Sequence, residues 1–288
     1  MMRFSFLDIN GVGTRYLEGG SGAAVILIHG VGMSADSWFW TVPALEKHRR
    51  VIAPDLLDNG FTEAGAYRGG PPQPYIVDHL VALLDKLDTD RISLVGSSLG
   101  CAIALLTYLK NPDRVDKIVL VGPGAVLEPA LAGSDPFGPS YANGRQAIVD
   151  PTYESCRARM GRAFFDASRV PDVIVAMQML MYAMPGALDA FERRMEGLRL
   201  GVGCSDLDLS GRIGEIRPPT LVLSGREDIR GDFQNVARSA AQLPNGRLIG
   251  YEQCGHWPHM EHPERFNRDL LAFLLDSSEM QNQKEQAA

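Results

Sequence analysis

The sequence predicts an α/β fold, a mostly parallel, doubly wound sheet interrupted by an all-α insertion. Short apolar runs such as Ala24–Ile28 and Ile92–Val95 alternate with helical patterns, as strands covered by helices on both faces require. The strand Ile92–Val95 runs into Gly96-Ser97-Ser98-Leu99-Gly100 and then a helical stretch, Cys101–Lys110, so a serine stands on a tight strand-to-helix turn. Between roughly 127 and 215 the strand pattern stops and methionine-rich helical segments take over, with Met160, Met177, Met179, Met181, Met184 and Met195.

In chain order, Phe4–Ile9 and Thr14–Glu18 flank Asn10-Gly11, a hairpin signal that adds an antiparallel edge. Ala24–Ile28 and Val51–Ala53 are buried strands, and Tyr75–Leu87 has helical periodicity. Lys117–Val121 is the next strand, followed by Gly122-Pro123-Gly124. Loops rich in Gly, Pro and Ser are expected over Ala132–Gly144. After the insertion come a strand at Thr220–Ser224, a helix at Asp232–Leu243, a strand at Arg247–Tyr251 and a closing helix at Pro263–Leu275. The division is therefore a core domain of 1–126 and 216–276, a helical insertion of 127–215, and a polar, disordered tail of 277–288.

Composition sets the outer limits. The chain has 288 residues, enough for one large core, with 45% hydrophobic and 22% charged residues as in an ordinary globular enzyme. A formal charge of −7 without a Lys/Arg cluster argues against nucleic acid as a partner. No apolar stretch approaches a membrane span and the N-terminus turns polar too soon for a signal peptide, so a cytoplasmic protein with no membrane partner is expected. Cys101, Cys156, Cys204 and Cys254 have no framework spacing and read as free thiols.

A serine nucleophile needs a base, and the base needs a carboxylate to fix its tautomer. Asp228 follows the strand Thr220–Ser224, and His256 follows the strand Arg247–Tyr251, so both lie at the sheet edge that carries Ser98. Glu227 and Asp232 are the substitutes for Asp228, and Ser97 for Ser98. The strand Ala24–Ile28 ends in His29-Gly30-Val31-Gly32, a loop whose backbone amides suit an oxyanion. Val31 and Leu99 are the candidate donors, with His29 a loop-shaping residue. His256, His259 and His262 recur every third residue, but Pro258 and Pro263 break any common helical face, so no metal is expected. No cofactor is expected either.

These four elements, in this order, resemble the α/β-hydrolase fold with a helical lid, and the resemblance covers nearly the whole chain. Within that fold, His256-Trp257 followed by Glu261-His262 and Phe266-Asn267 is similar to the C-terminal block of carbon–carbon bond hydrolases that cleave ring-fission products of aromatic compounds. That likeness implies a lid arginine gripping a charged or keto oxygen, and Arg194 in Phe191–Glu196 matches best. Trp257, Trp38 and Met181 are the remaining candidates for contact with a small-molecule substrate.

The sequence departs from that group in carrying Ser97 where an asparagine is usual, Met33-Ser34 for Pro-Gly, Cys101 for a glycine and Leu57-Asp58-Asn59-Gly60 for a glycine-rich turn. Hydrolysis of a small, largely apolar ester or lactone therefore ranks first and carbon–carbon hydrolysis second. A ligand-binding receptor or scaffold on the same fold is the reading from another class. Dehalogenase and epoxide hydrolase chemistry call for an aspartate nucleophile. A homodimer is implied only by resemblance.

Overall fold

A computed structural model describes residues 1–128, 135 and 137–275. Its centre is one eight-stranded sheet of order β1-β2-β4-β3-β5-β6-β7-β8. The strands are β1 Arg3–Ile9, β2 Val12–Gly19, β3 Ala24–Ile28, β4 Arg50–Pro54, β5 Ile92–Ser97, β6 Val115–Val121, β7 Thr220–Gly225 and β8 Gly246–Tyr251. Strands β3 to β8 pair in parallel, and β2 runs against both its neighbours. The β1–β2 turn uses positive φ at both Asn10 (54°) and Gly11 (84°), which the right-handed strand twist favours.

Alternation along the strands splits the core in two. Ile26, Ile28, Leu94, Ile118, Leu120 and Val222 belong to one buried cluster. Val25, Leu27, Val95, Val119, Leu221 and Leu223 belong to the other, on the opposite face. Both faces are dry, so helices must cover both: Gln73–Lys86 and Leu99–Lys110 pack into the first cluster, Pro263–Leu274 into the second. Chain order reverses at β3, whose neighbours are β4 and β5, and the crevice at the carboxyl ends of such strands is where open α/β sheets bind ligands.

Between β6 and β7 lie the helices Gly138–Val149, Tyr153–Gly161, Asp172–Tyr182 and Ala187–Leu200. The expected loop over Ala132–Gly144 is helical from Gly138 onward. Pro139 suits a first turn. Gly144 is needed because a Cβ there would meet the Phe191 ring at 2.5 Å. Half of the six lid methionines are buried, namely Met160, Met181 and Met195. The tail predicted for 277–288 lies outside the described residues. Among the described residues no single helix is long and apolar enough to cross a membrane, and all four cysteines are free.

Candidate active site

Ser98 occupies φ 54°, ψ −119° between β5 and the helix Leu99–Lys110, a strained conformation that lifts its side chain off the sheet. The turn closes only because of its glycines. A Cβ on Gly96 would lie 2.2 Å from the Gly100 carbonyl, and one on Gly100 would lie 2.2 Å from the Ile28 carbonyl. Ser97, the alternative nucleophile, is buried with a hydroxyl that lacks a partner.

His256 follows β8, and its Nδ1 is 2.8 Å from Asp228 Oδ2 after β7. Both are buried. An ionised aspartate accepts the Nδ1 proton, which leaves Nε2 free to act as a base. The other Asp228 oxygen accepts from the Arg230 amide at 2.8 Å. Glu227 instead ties the two loops by accepting from the Cys254 amide at 3.0 Å, and Asp232 caps the helix Phe233–Ala240 through the Asn235 amide. Gly122 (φ 55°) admits the histidine loop, since a Cβ there would meet the His256 carbonyl at 2.6 Å.

Glu261, which sequence reasoning noted only as part of a motif, holds that loop in place. One carboxylate oxygen accepts from the amides of Gly255 (3.0 Å) and Phe165 (2.8 Å), the other from Trp257 (3.2 Å). The His256 amide donates to the Ala163 carbonyl at 2.8 Å. The histidine loop is thus stitched to the lid on both sides of the ring.

The loop after β3 is fixed by His29. Its Nε2 accepts from the Leu56 amide at 3.0 Å, so Nδ1 carries the proton and donates to the Gly30 carbonyl at 2.8 Å. Burial lowers its pKa to about 4, so the ring is neutral. With the Gly30 carbonyl also held by the Met33 amide, the trans peptide turns the Val31 N–H the opposite way. Leu99 is the first residue of its helix, where an amide has no intrahelical acceptor. Asp55 braces the same region, accepting from the amides of Ala35 and Phe61 and from Arg15.

Ser98 and His256 line two adjoining cavities. The larger, about 180 Å³, is mostly apolar, with Val31, Leu99, Ala102, Val126, Leu198 and Leu209 in its walls. The smaller, about 40 Å³, adds Trp257 and Arg159 and shares Arg230 with the larger. Neither arginine was signalled by the sequence, because an arginine on a lid helix (Arg159) or in the loop after β7 (Arg230) looks like a solvated charge. Arg159 is buried and donates to Gln178 (2.5 Å) and the Val31 carbonyl (3.3 Å). Arg230 donates to the Ser140 hydroxyl. Burial, and then the nearby Arg159 charge, pull the Arg230 pKa down. Both Nε atoms lack a partner.

Three expected substrate contacts lie elsewhere. Trp38 is wholly buried in the core, its ring 4.3 Å from His259 and 6.3 Å from Phe266, because the short helix Ala35–Trp38 turns it under the sheet. Arg194 and Met181 line a separate cavity beside Asp58, since the register of Ala187–Leu200 gives Phe191 to the Ser98 side and Arg194 to the loop after β4. Trp257 does line the arginine end, edge-on to Phe164. The histidines do not converge: His259 is enclosed by Trp38 and Phe266, and His262 bonds the Gln253 carbonyl. Among the described residues no group of three ligating side chains could hold a metal ion.

Known proteins resemble this chain over most of its length. A 2-hydroxymuconate semialdehyde hydrolase of Pseudomonas sp. (strain CF600) is 31% identical over 93% of this chain and 92% of its own. A 2-hydroxy-6-oxo-6-phenylhexa-2,4-dienoate hydrolase of Burkholderia cepacia is 30% identical over 90% of each. The solved meta-cleavage product hydrolase from Pseudomonas fluorescens IP01 superposes with a TM-score of 0.76 at 29% identity, covering 94% of this chain and 97% of that one. The model of the alpha/beta hydrolase family matches residues 25–269. With that match over most of its length, the chain belongs to the alpha/beta hydrolase family and is a hydrolase.

Proposed function

We propose that the protein hydrolyses a carbon–carbon bond beside a ketone in a dienone carboxylic acid, the class of compound named for its relatives, through an acyl-enzyme on Ser98. The observation that carries this reading is a pair of arginines, buried Arg159 and half-buried Arg230, beside Ser98 and His256 with only neutral hydrogen-bond partners. Of the carboxylates around the two cavities, Asp228 is engaged with His256, and Glu128 and Asp208 stand on the wall of the larger space. Burying guanidinium groups costs several kcal/mol unless an anion compensates. A plain apolar ester offers none, whereas a dienone acid carries its carboxylate at one end and an apolar acyl group at the other. The two cavities suit that polarity, with the acid toward Arg159 and Arg230 and the acyl group in the larger apolar space.

The chemistry follows. The 2-hydroxy dienoate first takes its keto form, the hydroxyl proton moving to the carbon next to the distal ketone. His256 Nε2 removes the Ser98 proton, and Oγ attacks that ketone, whose oxygen gathers negative charge before the Val31 and Leu99 amides. Collapse breaks the carbon–carbon bond. The electron pair passes through the conjugated chain to the oxygen beside the carboxylate, where Arg159 and Arg230 stabilise it, and the proton held by His256 completes the hydroxydienoate product. Water activated by the same histidine then releases the acid from Ser98. Asp228 steadies the imidazolium in both halves, and Trp257 walls the acid end.

Sequence analysis ranks ester or lactone cleavage ahead of this reaction. The relatives and the arginine pair support the second-ranked reading, while the serine machinery serves either. The test is kcat/KM for a dienone acid, its methyl ester and a p-nitrophenyl ester, on wild type and Arg159→Met. The acid is expected to be preferred over its methyl ester, and Arg159→Met to lose about 10- to 100-fold on the acid but little on the p-nitrophenyl ester. Faster turnover of the p-nitrophenyl ester, with Arg159→Met indifferent on both, would return the assignment to an esterase.

A further inference from the structure

A cavity of about 300 Å³ lies between the lid and the loop after β4, apart from the space around Ser98. At its inner end is Arg194, only 3% exposed. Among the described residues it donates to the Asp58 carbonyl, at 2.5 Å, and its Nε has no partner. Its guanidinium lies 5.9 Å over the Phe191 ring, with Tyr182 and Tyr67 also nearby. The Asp58 carboxylate also lines the cavity; one oxygen accepts from the Gly65 and Ala66 amides, and the other has no hydrogen-bond partner and faces Arg193 at 3.5 Å. Glu63 stands at the exposed rim and accepts from the Gly13 amide. Arg194 is the cation at the bottom of the cavity, and burial pushes its pKa down to about 10 even with the Asp58 charge acting in the opposite direction. A leucine or methionine would tie the lid to the loop without that cost.

The same cavity holds a buried acceptor, the Asn59 side-chain oxygen, with no donor. Ile148, Met181 and Ala190 form an apolar wall, and the mouth opens beside Met184 and Pro185. Tyr182 and Gly32 separate this space from Arg159, whose guanidinium lies 5.5 Å over the Tyr182 ring.

We propose that this cavity is a second ligand site, taking a small carboxylate with an apolar body and a hydroxyl group. The carboxylate accepts from the Arg194 guanidinium, the hydroxyl donates to Asn59, and the body lies on the Met181 and Ala190 wall. The site is independent of the chemistry proposed at Ser98.

Salicylate is the probe, with benzyl alcohol as the uncharged control, in calorimetric titrations of wild type, Arg194→Met, Ala190→Phe and Arg159→Met. Each is also titrated after Ser98 has been phosphorylated with diethyl p-nitrophenyl phosphate, which fills the catalytic cavity. Salicylate is expected to bind the phosphorylated wild type and Arg159→Met equally well, and at least about tenfold more weakly to Arg194→Met and Ala190→Phe, whereas benzyl alcohol does not bind. Arg194→Lys, which keeps the charge, restores part of the affinity, and unchanged circular dichroism shows that the variants fold. No salicylate binding to wild type, equal binding to Arg194→Met, or loss of binding on phosphorylation or in Arg159→Met overturns the site. Failure of Ser98 to be phosphorylated counts against the nucleophile instead, and the four proteins compared unmodified then decide the cavity.

Discussion

Replacing Glu261 by glutamine tests whether one buried carboxylate sets the position of the catalytic histidine. The carboxylate accepts from Gly255 and Trp257, on either side of His256, and from Phe165 in the lid. Glutamine keeps a single acceptor oxygen. Placed toward Gly255 and Phe165 it preserves two bonds in weaker, uncharged form and turns its own NH₂ against the Trp257 amide. One buried N–H is then unsatisfied, at about 1–3 kcal/mol, and two charge-assisted bonds become neutral, at up to about 1 kcal/mol each. Relief from burying the charge offsets part, so the net loss is about 2–4 kcal/mol. For a chain of this size that lowers Tm by roughly 4–10 °C. Misplacement of the ring by a fraction of an ångström lowers kcat by about 10- to 100-fold with KM little changed. Thermal unfolding followed by circular dichroism, with steady-state kinetics on the same preparations, reads both. A variant with wild-type Tm and kcat would refute the positioning role, and one that loses stability alone would confine Glu261 to packing.

The remaining predictions concern neighbouring residues. His259 is buried between Trp38 and Phe266 with both ring nitrogens unpartnered, and burial lowers its pKa from 6.5 to about 3. Its lowered folded-state pKa means that the unfolded chain binds the proton first, so stability is lost as pH falls below 6.5, by up to about 1.4 kcal/mol per unit, down to about 3. His29 adds a similar loss from 6.5 to about 4. His259→Phe is expected to flatten the fall in Tm between pH 6.5 and 4, whatever repacking does to its absolute value, and an unchanged slope contradicts the assignment. Asp228→Asn is expected to cost about three orders of magnitude in kcat, with Glu227→Gln within a few-fold of wild type; the reverse order would move the triad acid to Glu227. Gly122→Ala, which forces a Cβ against the His256 carbonyl, is expected to lower kcat more than Gly11→Ala, whose Cβ meets nothing.

What the sequence made legible was what depends on local spacing. Strands β3, β5 and β7 are buried on both faces and end in turns that only certain residues can make, so order alone points to the Val31 loop, Ser98 and Asp228 at one edge, with His256 after the neighbouring strand β8. The hairpin was legible because Asn10-Gly11 encodes its own backbone. The lid was not, because which face of a helix meets the cavity depends on packing between helices distant in sequence. Arg194 and Arg159 each share a lid helix with other arginines, and only the crossing of Tyr153–Gly161 over the Val31 loop assigns Arg159 to Ser98. Trp38 misled for the same reason: nearness in sequence to the oxyanion loop does not fix which side of the sheet a ring turns to. Helical structure from Gly138 was hidden because Gly144 serves the Phe191 contact, not a turn.

In the proposed reaction Ser98, served by His256 and Asp228, cleaves a carbon–carbon bond. The most direct test is product analysis by mass spectrometry after incubating a dienone acid with wild type and Ser98→Ala in ¹⁸O-labelled water. The account predicts a hydroxydienoate without label and a carboxylic acid carrying one ¹⁸O from wild type, with turnover abolished in Ser98→Ala. Intact dienone from wild type, or the same products from Ser98→Ala at a similar rate, would contradict it.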